Sequence, residues 1–254
     1  MSRYTFGNTV TAAERLRRIA EFFDPLAKEF IRSNLRRPIG KAADLGCGPG
    51  YTTRMLAEAA AAKRTLWIDQ SDFFIEEARR TFPTLKFRQA DVTRMSDGDK
   101  FDLIYCRFLL SHLLNLDKVI ASWLNCLQPG GMLILDEFED IITEVPVFKN
   151  YIHISGELVA SQGANLFVGK VLDEAVKNFR VTVNQTNIIP VEDWRAAGWF
   201  HGNTIGPWKE EKYIQTNFER SKMQDISDEL LHIHNAQENV SRITWKMKRI
   251  ALSN

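Results

Sequence analysis

Cysteine is scarce and scattered. Cys47, Cys106 and Cys126 are the only three in 254 residues, without the paired spacing of a zinc site or a disulfide framework, so they read as reduced thiols. A surplus of one charge sign is also missing. Thirty-three basic residues face thirty-two acidic ones, a formal charge of +1, which gives no general attraction to a nucleic-acid backbone. No apolar run approaches the length of a bilayer span, and residues 1–8 lack the apolar core of a signal peptide, so a cytoplasmic protein without membrane partners is expected. Internal repeats and low-complexity linkers are absent. What is present, 44% hydrophobic and 26% charged residues, is the composition of a soluble globular protein, long enough for one α/β domain with an elaboration.

The stretch 41–57 organises the rest. A short apolar run ends in Asp44-x-Gly46-x-Gly48-x-Gly50 and opens into a helical pattern, giving strand, loop and helix. Glycines at alternate positions let the loop turn sharply and let a ligand lie against its backbone. A phosphate loop would need Lys-Ser or Lys-Thr after the last glycine, and Tyr51-Thr52 stands there instead. A dinucleotide fingerprint would need glycine at position 51. Cys47 lies in this loop with no positioned base in the sequence, and is read as a small packing residue rather than a nucleophile.

Further acids follow at strand ends. Asp69, with Gln70, follows the apolar run 64–68, where an αβ unit delivers a carboxylate to ribose hydroxyls. Asp91-Val92 follows the next strand, predicted at 82–89, ahead of turn-forming residues 95–98. The run 101–106 reads as a buried central strand, with Arg107, Phe108 and His112 leaving its end. A helix at 116–127 stops at Pro129-Gly130-Gly131, before a fifth strand at 132–135 and an acidic stretch of Asp136, Glu137, Glu139 and Asp140.

Together the glycine motif, Asp69, Asp91 and the Pro-Gly-Gly entry resemble the class I S-adenosylmethionine-dependent methyltransferases, over residues 41–139. The resemblance implies a doubly wound, mostly parallel seven-stranded sheet of Rossmann-like type. It also implies a cofactor, S-adenosylmethionine, held by Asp44, Gly46, Cys47, Gly48, Gly50, Asp69, Gln70, Asp91, Val92 and Arg107, with Asp91 meeting the adenine amino group and the adjacent backbone amide a ring nitrogen. No Pro-Pro-aromatic run for a flipped base follows the fourth strand, and arginine at 107 replaces the acid of metal-dependent relatives. Metal-free transfer to a small molecule is therefore expected, oxygen before nitrogen or carbon. A protein or RNA methyltransferase and a non-catalytic binding domain are the alternatives.

The flanks carry less signal. Residues 1–40 should form a helical cover, with a helix at 12–33 capped by Thr11 and kinked at Pro25, and with Tyr4 and Phe6 as candidate aromatic contacts. It either crosses the nucleotide site or simply packs on the domain. Arg15, Arg17, Arg18, Arg32, Arg36 and Arg37 read as a solvated face. Residues 41–254 are taken as one methyltransferase domain with substrate-side elaborations at 140–179 and 191–240, a helical insertion preceding the last strand. A strand is expected at 180–189, ended by Pro190. His112 is the candidate general base, against a structural polar group. Phe108, Trp199, Phe200 and Trp208 are the candidate acceptor-binding residues, against core packing. The acidic stretch 136–140 reads as a solvated loop.

Overall fold

The computed structural model describes residues 7–95 and 98–254; Tyr4, Phe6 and two of the turn-formers, Ser96 and Asp97, lie outside them. Seven strands, β1 (Lys41–Leu45), β2 (Arg64–Asp69), β3 (Phe87–Gln89), β4 (Phe101–Arg107), β5 (Leu127–Thr143), β6 (Arg180–Val191) and β7 (Ile243–Ser253), form one sheet in the order β3-β2-β1-β4-β5-β7-β6. The first five run parallel, and β7 is antiparallel to both of its neighbours. β1 and β4 are buried almost throughout, as expected of central parallel strands covered on both faces. Between them the strand order reverses, which opens a crevice beyond their carboxyl ends.

The helices are α1 (Val10–Asn34), α2 (Tyr51–Ala60), α3 (Asp72–Thr81), α4 (Leu116–Asn125), α5 (Pro146–Ser161), α6 (Gly169–Val176), α7 (Asp193–Thr204), α8 (Pro207–Glu210), α9 (Lys212–Asn217) and α10 (Arg220–Ala236). Thr9, not Thr11, caps α1, accepting from the Ala12 backbone at 3.2 Å. The helix runs through Pro25 unbroken, because Phe23, Ala27, Phe30 and Ile31 are buried on both sides of it and packing outweighs one lost ladder bond. Arg17 and Arg18 pair with Glu14 on the outer face; Arg15 is buried instead.

Three expectations about strands are corrected. The acidic stretch is part of β5, which continues to Thr143; residues 140–143 are therefore sheet rather than elaboration. Asp136 lies opposite Arg249 on β7 and pairs with it at 2.9 Å, so cross-strand charge matching lets that acid stay in the ladder. Pro190 does not end β6, whose edge position tolerates a residue without an N–H. The third strand is shorter than 82–89, because the C-cap of α3 at Phe82 and a turn at 83–85 occupy its start.

Candidate active site

The loop after β1 is shaped by backbone geometry. Gly46, Gly48 and Gly50 have φ of +72°, +52° and +89°, a region that favours glycine. At Gly46 space is limiting as well, since a Cβ there would lie 2.8 Å from Leu109. The Gly46 and Cys47 amides donate to the Ile68 carbonyl at 2.8 and 3.1 Å, tying the loop to β2. Asp69 locks it further: its Oδ2 accepts from the Gly48 amide and its Oδ1 from the Ser71 amide, both at 2.8 Å. Burial raises the Asp69 pKa against the pull of these amides.

Asp44 stands beneath the loop. It is 1% exposed, accepts from Thr52 Oγ1 at 2.7 Å and is not among the residues lining the crevice. Burial pushes its pKa up to about 7. Gly50 packs against Phe82, Ala78 and Phe87. Both shape the loop rather than face the crevice. The Cys47 thiol does line the crevice, and burial, then the charges of Asp44 and Asp69, raises its pKa well above the ordinary value. A thiol held protonated in this way is a poor nucleophile.

Beyond β3, Asp91 is exposed and caps a 3-10 turn over Val92–Arg94, accepting from the Thr93 amide at 2.9 Å and its hydroxyl at 2.7 Å. Those bonds hold its pKa low. The Val92 carbonyl accepts from Trp123 Nε1 at 2.8 Å. Arg107, 6% exposed, ends β4 and pairs with Asp24 of α1 at 2.8 Å. Gln70, Asp91, Val92 and Arg107 all line the crevice, a cavity of about 520 Å³ beyond the strand ends, and Leu16, Ile19 and Ala20 of α1 lie across it. The first helix thus supplies part of the lining.

Phe108, the next residue, has φ +55°, a strained conformation for a bulky side chain. Two contacts hold it there. Its ring stacks on Phe138 at 4.0 Å, and Oε1 of Glu137 accepts from the Leu109 and Leu110 amides, each at 2.9 Å. Glu137 is fully buried, and burial lifts its pKa to about 8. Asp136 accepts from Tyr105 at 3.0 Å and from Arg249 at 2.9 Å. These two acids are internal struts, which corrects the solvated-loop expectation. Among the described residues no group of three or more His, Cys, Asp or Glu is placed to hold a metal.

A second chamber of about 100 Å³ adjoins the crevice, with Leu16, Ile19, Phe108 and His112 as a common wall. Trp199 and Phe200 of α7 line it, together with Phe138 of β5, Tyr151 of α5 and Trp245 of β7. Trp208 does not: it stacks behind Tyr151 at 5.0 Å and is 2% exposed, so it belongs to the packing around the chamber. His112 sits in the wall between the two spaces, and burial and the charge of Arg15 bring its pKa down to about 4.

Sequence reasoning missed Glu137, Arg15, Phe138, Tyr151 and Trp245. A signal for Arg15 was present: with Ile19 and Phe23 it falls at i, i+4 and i+8, on the apolar stripe and not the polar face. Glu137 offered none, because its role depends on which backbone amides β5 brings it against.

The strand order, the glycine loop and the crevice define an α/β nucleotide-binding domain with a methyltransferase topology. Residues 43–133 match the family model described as "Methyltransferase domain", the same stretch whose motifs resemble the class I S-adenosylmethionine-dependent methyltransferases. The chain is 30% identical over 146 residues, 58% of this chain and 55% of the other, to trans-aconitate 2-methyltransferase of Methylobacterium nodulans. Over 114 residues, 42% of this chain and 47% of the other, it is 32% identical to the ubiquinone biosynthesis O-methyltransferase of Methylococcus capsulatus. The chain spans about half the length of these curated relatives. A solved coclaurine N-methyltransferase bound to N-methylheliamine and SAH shares the fold at a TM-score of 0.53 and 16% identity, over 92% of this chain and 72% of that one. Among the described residues no helix is long and apolar enough to cross a membrane.

Proposed function

We propose that this protein transfers a methyl group from S-adenosylmethionine to an oxygen of a small-molecule acceptor, without a metal, in the cytoplasm. The observation that carries this reading is the pairing of the crevice with a small aromatic chamber through one wall of four side chains. A chamber of about 100 Å³ suits a small acceptor better than a protein or RNA segment, and the segments 144–179 and 191–240 that build its outer side serve as acceptor-side elaborations.

The crevice residues fit the cofactor. Gly48 faces the space with no side chain, a Cβ there meeting only Leu16 at 3.8 Å, so a ligand can approach the backbone closely. Asp69 lies where ribose hydroxyls are received in such folds, and Asp91, Val92 and Arg107, which line the same cavity, would hold the rest of the cofactor. When bound, S-adenosylmethionine supplies an electrophilic methyl on a sulfonium. The chain's own task is then to align donor and acceptor and to exclude water. Phe108, held in its strained conformation, separates the two spaces. His112 is neutral down to about pH 4, which makes it a weak proton acceptor and suits it to hydrogen-bonding an acceptor in place.

Calorimetry with S-adenosylmethionine and its demethylated product tests the donor, and labelled-methyl transfer across a panel of hydroxyl, carboxyl and amino acceptors tests the reaction. Failure of either nucleoside to bind would overturn the reading.

A further inference from the structure

Two uncharged polar side chains are buried in the lining of the aromatic chamber. Ser155 of α5 is 1% exposed and Asn203 of α7 is 2% exposed, and both line the chamber but not the crevice. Each stands one helical turn from an aromatic residue of the same lining, Ser155 from Tyr151 and Asn203 from Trp199, so both fall on the faces that their helices turn to this space. The Asn203 amide nitrogen donates to the Tyr151 hydroxyl, which ties α7 to α5. The Asn203 Oδ1 and the Ser155 Oγ have no hydrogen-bond partner among the described residues. Buried polar atoms are nearly always paired, and one left unpaired weakens the fold. An aliphatic side chain would fill either position without that cost, so the two atoms point to a ligand that supplies what the fold does not.

We propose that Ser155 and Asn203 hold a hydroxyl group of the acceptor, and that the acceptor is a one-ring molecule bearing this hydroxyl at the end away from the donor. The proposal rests on the methyl-transfer reading above and adds no step to it: the hydroxyl bound here orients the molecule and is not the group that is methylated. The choice of a hydroxyl follows from the two atoms. A carboxamide oxygen only accepts, whereas a serine hydroxyl both donates and accepts. A ligand hydroxyl can donate to Asn203 and accept from Ser155; a carboxylate or an ether has no proton for Oδ1, and an ammonium has no lone pair for the Ser155 proton. Turning the Asn203 carboxamide over would present a donor in place of the acceptor, and a hydroxyl serves that arrangement equally, accepting from the amide and donating to Ser155. Size follows from the cavity. An engineered apolar cavity of about 150 Å³ takes up benzene, so a chamber of about 100 Å³ suits no more than one ring. The wall shared with the crevice includes neither Ser155 nor Asn203, so a ring held by them turns its other end toward the donor.

The test uses 4-methoxyphenol and 4-methylanisole, which carry the same methyl ether, as a methylated acceptor would, and differ only in a hydroxyl or a methyl at the opposite end. Calorimetry on the protein saturated with S-adenosylhomocysteine should show the phenol binding about tenfold tighter or more, the scale of one or two neutral hydrogen bonds. Ser155→Ala and Asn203→Leu should each cut that preference about threefold or more, mainly through weaker binding of the phenol. Equal affinities in the wild-type protein, a preference that survives both substitutions, or equal losses for the two ligands, the sign of a merely structural role, would overturn the proposal and leave methyl transfer standing. So would failure of both ligands to bind a protein that does bind S-adenosylhomocysteine. Failure of the wild-type protein to bind the nucleoside would overturn both. Should Asn203→Leu fail to fold, because Asn203 also holds Tyr151, Ser155→Ala decides alone.

Discussion

The crevice and the chamber share a wall but are built differently. The crevice is made from loops that each follow one parallel strand, and its geometry is largely backbone: three positive-φ glycines, the Gly46 and Gly48 amides and the turn at Asp91. The chamber is made of side chains from α1, α5, α7, β5 and β7, segments more than two hundred residues apart in sequence, set in a second aromatic core around Trp199, Trp208 and Trp245. A site made of backbone can be written as a short motif. A site made of packed side chains cannot, because any large apolar residue fills the pattern and only the packing says which of them face the space.

The comparison predicts that the two regions fail in different ways. Trp208→Ala should carry the largest cost, about 3–5 kcal/mol of unfolding free energy in urea denaturation, the range for truncating a buried tryptophan. Because Trp208 stands behind Tyr151, the surviving folded protein should bind S-adenosylmethionine normally. A selective loss of nucleoside affinity instead would mean that the chamber's packing reaches the crevice.

Glu137→Ala comes next. It leaves the Leu109 and Leu110 amides without their acceptor and frees the Phe108 turn, costing roughly 2–6 kcal/mol at about 1–3 for each of the two buried donors. Glu137→Gln tests the protonation state. In the folded protein Glu137 keeps its proton up to about pH 8, whereas the unfolded chain releases it near the ordinary glutamate value of about 4.3. The native state therefore binds more protons between these two values. Wild-type stability relative to Glu137→Gln should be greatest below about pH 4 and fall as pH rises to about 8. A flat difference across that window would show that Glu137 is ionised in the fold.

Asp69→Ala should cost less and act on the crevice alone, weakening S-adenosylmethionine binding by roughly 1–3 kcal/mol, the scale for hydrogen bonds to a charged group. Calorimetry should find the acceptor's affinity for the nucleoside-saturated protein nearly unchanged. Equal losses at both sites would dissolve the distinction between them. The smallest effect is expected from a chelator. Turnover with EDTA should match turnover without it, and rescue of a chelated enzyme by magnesium would return a metal to the site.

By itself, the sequence determined the class of fold and the ground plan of the crevice. The spacing of Gly46, Gly48 and Gly50 is a steric requirement of one turn, and the acids at 69 and 91 fall at strand ends because apolar runs of strand length fix where strands stop. The tertiary structure alone decided the roles of the acids at 136 and 137 and of Arg15. On composition an acidic run reads as solvated; it becomes a pair of buried struts because β7 places Arg249 opposite Asp136 and because the Phe108 turn presents two amides to Glu137. Arg15 belongs to an arginine-rich helix whose neighbours Arg17 and Arg18 do face water. It is buried where α7, nearly two hundred residues later in the chain, packs beside it at Gly202. Local propensity is set within a few residues, whereas the burial of a charge depends on which distant surface closes over it.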